Sequence, residues 1–240
     1  MIIIFGGSGT LGNAIVKNLI DRTPLIIVVN KSYAQTKKKY SKFKKIKIFK
    51  VNLENPNELI NFLEVDLKKY LSNIKGIIIN SAKTILEQNL KYSNNVEGLF
   101  RVNYATSANI FSFFSKLDNN YLPIRVVTIL SNSLKTLNAS NIHYISSKSA
   151  LNTLGNIYAK KFASKMIINS INPGLMRSPF TKDRFDKVKN NIIKNTPIKR
   201  LSTPNEISEV IKYFSLDVPK SVTGQSIFVD GGRTIWKKKL

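Results

Sequence analysis

Seven short runs rich in isoleucine and valine recur along the chain, separated by longer stretches of helical pattern: Ile2–Phe5, Leu25–Val29, Lys47–Val51, Gly76–Asn80, Ile124–Leu130, Met166–Ile171 and Ser226–Val229. Several are apolar at every position, as strands covered on both faces must be. Strands that alternate with helices connect by right-handed crossovers, which builds a parallel sheet with helices on both sides. The expected class is therefore α/β, a doubly wound sheet of about seven parallel strands. Start signals support the helices. Pro56 follows Asn55 at a position where a missing N–H costs nothing, and Thr203-Pro204-Asn205-Glu206 reads as a capping box. Leu99–Leu117 and Tyr144–Ala163 are the longest helical patterns. Pro173–Thr203 reads as one long irregular segment. It would emerge at the carboxyl ends of the strands, where ligands bind in open α/β sheets. With no repeat and no linker, residues 1–240 read as one domain.

The first strand runs directly into Gly6-Gly7-Ser8-Gly9-Thr10-Leu11-Gly12 and then the helical "NAIVKNLI". Glycines let a backbone turn tightly and approach a pyrophosphate, whose charge the N–H groups of the following helix receive. Strand, glycine turn and helix in this order predict a dinucleotide site with Gly6, Ser8, Gly9, Thr10, Leu11 and Gly12 as contacts, and hence a Rossmann-type fold. The second strand ends Val29-Asn30-Lys31-Ser32. A carboxylate there would hold the ribose 2′-hydroxyl of NAD, and none is present. A cation and a hydroxyl favour NADP(H), with NAD(H) as the alternative and a plain surface lysine as the bland reading of Lys31.

Composition narrows the class. No cysteine and a single histidine argue against disulfides, thiolate sites and histidine-based metal centres, so no metal is expected. No apolar run is long enough to span a bilayer, and the N-terminus lacks a secretory signal pattern, so a cytoplasmic protein is expected. Lys and Arg number 38 against 14 Asp and Glu, a net charge of +24. Such a field attracts polyanions. Abundant Asn and Ile beside the lysines point instead to compositional drift, and Lys31–Lys50 carries no nucleic-acid motif. A nucleic-acid partner is not expected.

Tyr-x-x-x-Lys occurs three times, at Tyr33/Lys37, Tyr40/Lys44 and Tyr144/Lys148. In a chain with 9 tyrosines and 31 lysines the spacing decides nothing by itself. Context does. In order along the chain stand Gly6–Gly12, Asn80-Ser81-Ala82-Lys83, Val102-Asn103, Ile129-Leu130-Ser131, Tyr144/Lys148 and Asn172-Pro173-Gly174, then "TPIKRLSTPNEISEVIKYF" and "VTGQSIFVDGG". This series resembles the short-chain dehydrogenase/reductase family over nearly the whole length, closest in pattern to its 3-oxoacyl-[acyl-carrier-protein] reductases. Thr10 stands in place of a turn glycine, and Lys83 in place of the last glycine after the fourth strand. Lys83 would contact a phosphate or point to solvent. Tyr33 and Tyr40 lack this context and read as solvated helix residues.

The resemblance implies an oxidoreductase interconverting C=O and CH–OH groups, with Asn103, Ser131, Tyr144 and Lys148 as the catalytic set. Tyrosine is a costly proton donor at neutral pH because its free pKa is about 10. A lysine cation about 4 Å away supplies about 4 kcal/mol at an effective dielectric of 20, enough to bring the phenol near neutrality. Positions i and i+4 share a helix face, and a first-turn position adds the helix dipole. By the same resemblance Ser131, with Ser133 as rival, binds the substrate oxygen. Lys148 also binds the nicotinamide ribose. Asn103 holds a proton-resupply water, or else is a structural kink. Cofactor contacts extend to Asn30, Lys31, Ser32, Asn52, Leu53, Asn80, Ser81, Ala82, Tyr144, Lys148, Pro173, Gly174 and Ser178. His143 has no expected role beyond helix start.

Residues 175–203 are expected to form a substrate lid. Arg177–Arg200 holds eight basic residues against Asp183 and Asp186, which suits an anionic or carrier-borne carbonyl substrate, a 3-oxoacyl thioester or a keto-sugar nucleotide. A solvated lid in a basic protein is the bland alternative. The resemblance also implies a homotetramer or homodimer packed through the two longest helices. Two competing functions stand beside the enzyme: a non-catalytic dinucleotide-binding sensor or scaffold, and a charge-driven nucleic-acid binder.

Overall fold

The computed structural model describes residues 1–84, 93–118, 123–137, 141–178 and 181–235, without the side chains of 93, 94 and 182–184. Seven parallel strands form one sheet in the order β3-β2-β1-β4-β5-β6-β7. They are β1 Ile2–Phe5, β2 Leu25–Val29, β3 Ile46–Lys50, β4 Gly76–Ile79, β5 Ile124–Ile129, β6 Met166–Pro173 and β7 Ser226–Val229. The α/β expectation holds. β3 slides one residue toward its N-terminus, β4 and β5 stop one residue short, and β6 runs on through Pro173. That proline sits where only its carbonyl serves the ladder, accepting from Asn132 N–H at 3.0 Å.

Alternation within the strands divides the core. Ile3 and Phe5 pack with Ile26, Val28, Ile77 and Ile79 against Leu59, Phe62, Phe111 and Phe114 on one face. Ile2 and Ile4 pack with Leu25, Ile27 and Ile78 against Ile15, Val16, Leu19, Ile207 and Ile211 on the other. All four residues of β1 are 0% exposed, so both faces of this strand are core. At about 1.5–3 kcal/mol per buried large aliphatic side chain, this strand anchors the sheet centre.

The helices are α1 Thr10–Leu19, α2 Tyr33–Tyr40, α3 Pro56–Asn61, α4 Ser93–Phe100, α5 Thr106–Ser115, α6 Ser133–Thr136, α7 Ile142–Lys161, α8 Lys182–Lys194 and α9 Pro204–Leu216. Asn55 caps α3, accepting from Asn57 N–H at 3.1 Å. The capping box of α9 is present in both directions between Thr203 and Glu206. The helix expected over Leu99–Leu117 is three segments. A π turn at Arg101–Ala105 joins α4 to α5, and Thr106 N–H closes it on Arg101 C=O. Pro173–Thr203 is not irregular throughout, because it contains the 13-residue α8. Phe185, Val188 and Ile192 recur there at helical spacing, and Lys and Asn at the remaining positions hide the stripe from a reading by composition.

No helix among the described residues is long and apolar enough to cross a membrane. The strand order reverses between β1 and β4, and a crevice opens at their carboxyl ends.

Candidate active site

The glycine turn closes this crevice from β1. Gly6 has φ +80°, and a Cβ there would lie 2.8 Å from Ser81 N on the β4 side. Asn80 Nδ2 donates to Gly6 C=O at 2.8 Å, so the loops after β1 and β4 are bonded together. A Cβ at Gly12 would stand 2.2 Å from Gly6 C=O, and one at Gly7 2.5 Å from Ile27. Those two glycines are required by packing. Gly9 differs. A Cβ there would meet only Gly6 C=O, at 3.9 Å, so its open side faces the crevice. It is also the N-cap of α1, with no side-chain cap, leaving the first N–H groups of the helix directed outward.

Asn13 braces the turn from beneath, donating to Ser8 C=O at 2.8 Å and Gly9 C=O at 3.0 Å. Its own oxygen accepts from Tyr40 Oη at 2.9 Å. Tyr40 is therefore not the solvated residue expected from its isolated position. It is 8% exposed and supports the turn through Asn13.

A cavity of about 1070 Å³ runs from this turn to α8. Of the expected cofactor contacts, Gly6, Ser8, Gly9, Thr10, Leu11, Asn30, Lys31, Asn52, Leu53, Asn80, Ser81, Ala82, Tyr144, Lys148, Pro173, Gly174 and Ser178 line it. Gly12 and Ser32 do not. Gly12 packs against the turn, and Ser32 donates to Ser8 Oγ at 2.6 Å. Asn52 Oδ1 accepts from Asn30 Nδ2 at 3.0 Å and from Glu54 N–H at 3.2 Å, which locks the ends of β2 and β3 in register. Lys83 neither reaches inward for a phosphate nor stands free in solvent. It pairs with Glu54 at 2.9 Å across the cavity rim. That pair depends on two loops meeting in space, which no sequence spacing announces.

The wall opposite the glycine turn brings together three of the residues expected to be catalytic, Ser131, Tyr144 and Lys148. Tyr144 is the third residue of α7 and Lys148 lies one turn on, with Nζ 5.9 Å from the Tyr144 ring centroid. Lys148 is 1% exposed and donates to Ile129 C=O at 2.7 Å. Burial lowers its pKa from 10.5 to about 7. Ser131 follows β5 on the same wall, its Oγ accepting from Ser133 N–H at 3.1 Å. Ser133 lines the cavity as well. Asn103 does not. It is 1% exposed in the π turn, where Oδ1 accepts from Lys83 N–H at 2.7 Å. Its Nδ2 donates to Lys83 C=O and Ser147 Oγ, each at 2.9 Å. The side chain is a bracket tying the loop after β4 to α7.

Several lining residues escaped the sequence reading. Asn132 is buried and bonds to Asp230 at 3.3 Å, and Thr181 receives the Ser178 N–H at 3.0 Å. Val188, Asn191, Ile192 and Arg233 line the end near α8. The helical stripe in α8 was the available signal for Val188 and Ile192, and Asn191 lies beside it. For Arg233 it was the turn after "VDGG". None of the described lid cations lines the cavity. Arg177 and Lys189 pair with Asp186, Arg200 pairs with Glu206, and Lys187, Lys194 and Lys199 are exposed. The side chains of Lys182 and Arg184 lie outside the described residues.

The model of the family described as enoyl-(acyl carrier protein) reductase matches residues 10–234. The chain belongs to the short-chain dehydrogenase/reductase family. A 3-oxoacyl-[acyl-carrier-protein] reductase of Thermotoga maritima is 30% identical over 99 residues, 41% of this chain and 40% of that protein. The chain thus spans well under half the length of the first curated relative it matches. The enzyme of the same name from Buchnera aphidicola subsp. Baizongia pistaciae is 28% identical over 241 residues, 96% of this chain and 95% of that one.

Among solved structures, a 4-hydroxyisoleucine dehydrogenase mutant complexed with NADH and succinate superposes with TM-score 0.87 at 22% identity, covering 99% of this chain and 100% of its own. A 3-oxoacyl (acyl-carrier-protein) reductase from Agrobacterium tumefaciens with NADP bound gives 0.81 at 18%, covering 96% and 92%. At these identities the likeness is one of fold.

Proposed function

We propose that this short-chain dehydrogenase/reductase is an NADPH-dependent carbonyl reductase in which Tyr144 is the general acid/base. The supporting observation is the placement of Tyr144 over a fully buried Lys148, on a wall shared with Ser131 and facing the glycine turn. The residues fit a dinucleotide. Gly9 leaves open the space a Cβ would fill, and Ser81, a lining residue, has a buried hydroxyl with no partner among the described residues. When bound, a reduced nicotinamide supplies the hydride. Gly6–Leu11 would hold its pyrophosphate, and Asn30, Lys31, Asn52 and Leu53 its adenosine end. Asn80, Ser81, Ala82, Pro173, Gly174 and Ser178 would line the path to the nicotinamide. Lys31, without a carboxylate beside it on β2, supports NADPH over NADH.

Ser131 Oγ orients the carbonyl oxygen, and Tyr144 Oη gives that oxygen its proton. At a separation near the 5.9 Å ring distance, a cation stabilises the resulting tyrosinate by about 3 kcal/mol at an effective dielectric of 20, about two pKa units. The effect is mutual, so proton loss from Tyr144 holds the proton on Lys148. To complete the cycle Lys148 gives that proton back to the Tyr144 oxygen and is recharged from solvent. A relay water at Asn103 would have to bind its main chain, because both side-chain groups are engaged.

The chain acts as one domain with residues 175–203 as lid, in the cytoplasm, as a homotetramer or homodimer. Its substrate is a small carbonyl compound, with a 3-oxoacyl thioester and a keto-sugar nucleotide as leading classes. NADPH oxidation against a panel containing both, beside simple oxo acids and ketones, tests this. Turnover of at least one member is expected, and tight NADPH binding with no turnover of any member would refute the reading.

A further inference from the structure

We infer that Arg233 is the specificity residue of this site, and that it selects a carbonyl substrate bearing a carboxylate. The inference rests on the reductase reading above and sets a small oxo acid ahead of the thioester and the sugar nucleotide as substrate class. Four cations line the cavity among the described residues: Lys31, Lys83, Lys148 and Arg233. Three have assignments. Lys83 is neutralised by Glu54, Lys148 is bonded to Ile129 C=O, and Lys31 stands beside Asn30 at the far, adenosine end. Arg233 remains, three residues after Asp230, which bonds to Asn132 beside Ser131.

Its position follows from the turn after β7. Gly231 and Gly232, at φ +69° and +83°, pack against Thr196, Pro197 and Ile198. That contact brings the turn under the C-terminal end of α8, where Asn191 and Ile192 also line the cavity. Asp230, 6% exposed, fixes the turn by accepting from Gly232 N–H and Thr234 N–H, each at 3.1 Å. Its carboxylate also accepts from Asn132 Nδ2, one residue from Ser131, and so ties Arg233 to the reacting end.

The chemistry is that of an unspent guanidinium. Asp230 is the carboxylate nearest in charge to Arg233, yet its oxygens serve Asn132 and two backbone N–H groups. No hydrogen bond or ion pair of the Arg233 side chain is found among the described residues. Burial lowers its pKa, and the Asp230 charge offsets this only in part. A half-desolvated guanidinium offers five N–H donors in a fork that matches an oxyanion. Met176, Val188 and Ile192 give this end apolar wall, beside the uncharged polar Thr181 and Asn191. Such a compartment fits a short carbon chain with its carbonyl at Ser131 and Tyr144 and its carboxylate on Arg233. The described basic residues of the lid, none of which lines the cavity, take no part.

The test compares kcat/KM of acetoacetate with methyl acetoacetate, pyruvate with methyl pyruvate, and dihydroxyacetone phosphate with dihydroxyacetone, using NADPH. Wild type should prefer an acid over its ester. Arg233→Met should cut that acid/ester ratio about 10- to 100-fold, mainly through KM, because one charge-assisted pair is lost. Arg233→Lys should restore part of it. If Arg233→Met does not fold, the wild-type ratio and Arg233→Lys decide. A ratio unchanged by substitution, or a wild type that favours the esters, would overturn the inference. Preference for the phosphate pair alone would overturn the carboxylate assignment. NADPH binding without turnover of any of these small compounds would also overturn it, while the reductase reading would still be judged on the thioester and sugar-nucleotide panel.

Discussion

Replacing Lys148 by methionine should stabilise the cofactor-free protein while abolishing turnover, and the gain should depend on pH. Burial moves the lysine pKa from 10.5 to about 7. Between those values the unfolded chain carries a proton that the folded protein has released, so stability rises with pH through this window. Below about pH 7 the buried lysine costs about 5 kcal/mol, since a tenfold change in proton affinity is worth about 1.36 kcal/mol. By pH 9 the cost falls to about 2 kcal/mol. Methionine keeps most of the apolar stem and removes the charge, but leaves Ile129 C=O without its 2.7 Å donor, a loss of about 1–3 kcal/mol. Lys148→Met should therefore gain about 2–4 kcal/mol at pH 6.5 and almost nothing at pH 9. Urea denaturation at the two pH values measures both numbers. A difference between variant and wild type that stays constant from pH 6.5 to 9, or a less stable variant at pH 6.5, would refute this view of the buried ammonium.

Gly9→Ala should cost at most about 1 kcal/mol of stability, as a poorer N-cap, yet weaken NADPH binding at least tenfold by titration. Gly12→Ala should instead lower the melting temperature steeply, because its Cβ would stand 2.2 Å from Gly6 C=O. Lys31→Glu should raise the KM for NADPH about 10-fold or more relative to that for NADH, and a ratio equal to wild type would remove Lys31 from cofactor choice. Hydrogen bonds from Arg200 and Thr203 hold the Glu206 carboxyl down to about 2. The stability it contributes is complete above about pH 4.5 and lost as pH falls through about 2. Glu206→Gln should accordingly melt lower than wild type at pH 7, with the gap closing in acid.

The strands were legible because a parallel sheet covered on both faces needs uninterrupted apolar runs, and Ile2–Phe5 and Leu25–Val29 match residue for residue. The glycine turn was legible for a similar reason, since close backbone approach admits few residue types. What escaped depends on tertiary approach. Tyr40 reads as one more tyrosine in a lysine-rich helix until Asn13 is found against its hydroxyl. Lys83 and Glu54 are 29 residues apart and meet only because β3 and β4 end on the same side of the sheet. The α8 stripe was masked by Lys and Asn, and the π turn at Arg101–Ala105 leaves no mark on a helical periodicity. Asn103 stood out by its place in the motif series, but not as the bracket its side chain makes.

The claim at the centre is that a buried ammonium makes the Tyr144 phenol an effective proton donor. Tyr144→Phe measures it most directly, with NADPH affinity and kcat determined on the same preparation. The account predicts affinity within about threefold of wild type and kcat reduced by at least about 100-fold. Turnover within tenfold of wild type would show that the proton comes from elsewhere.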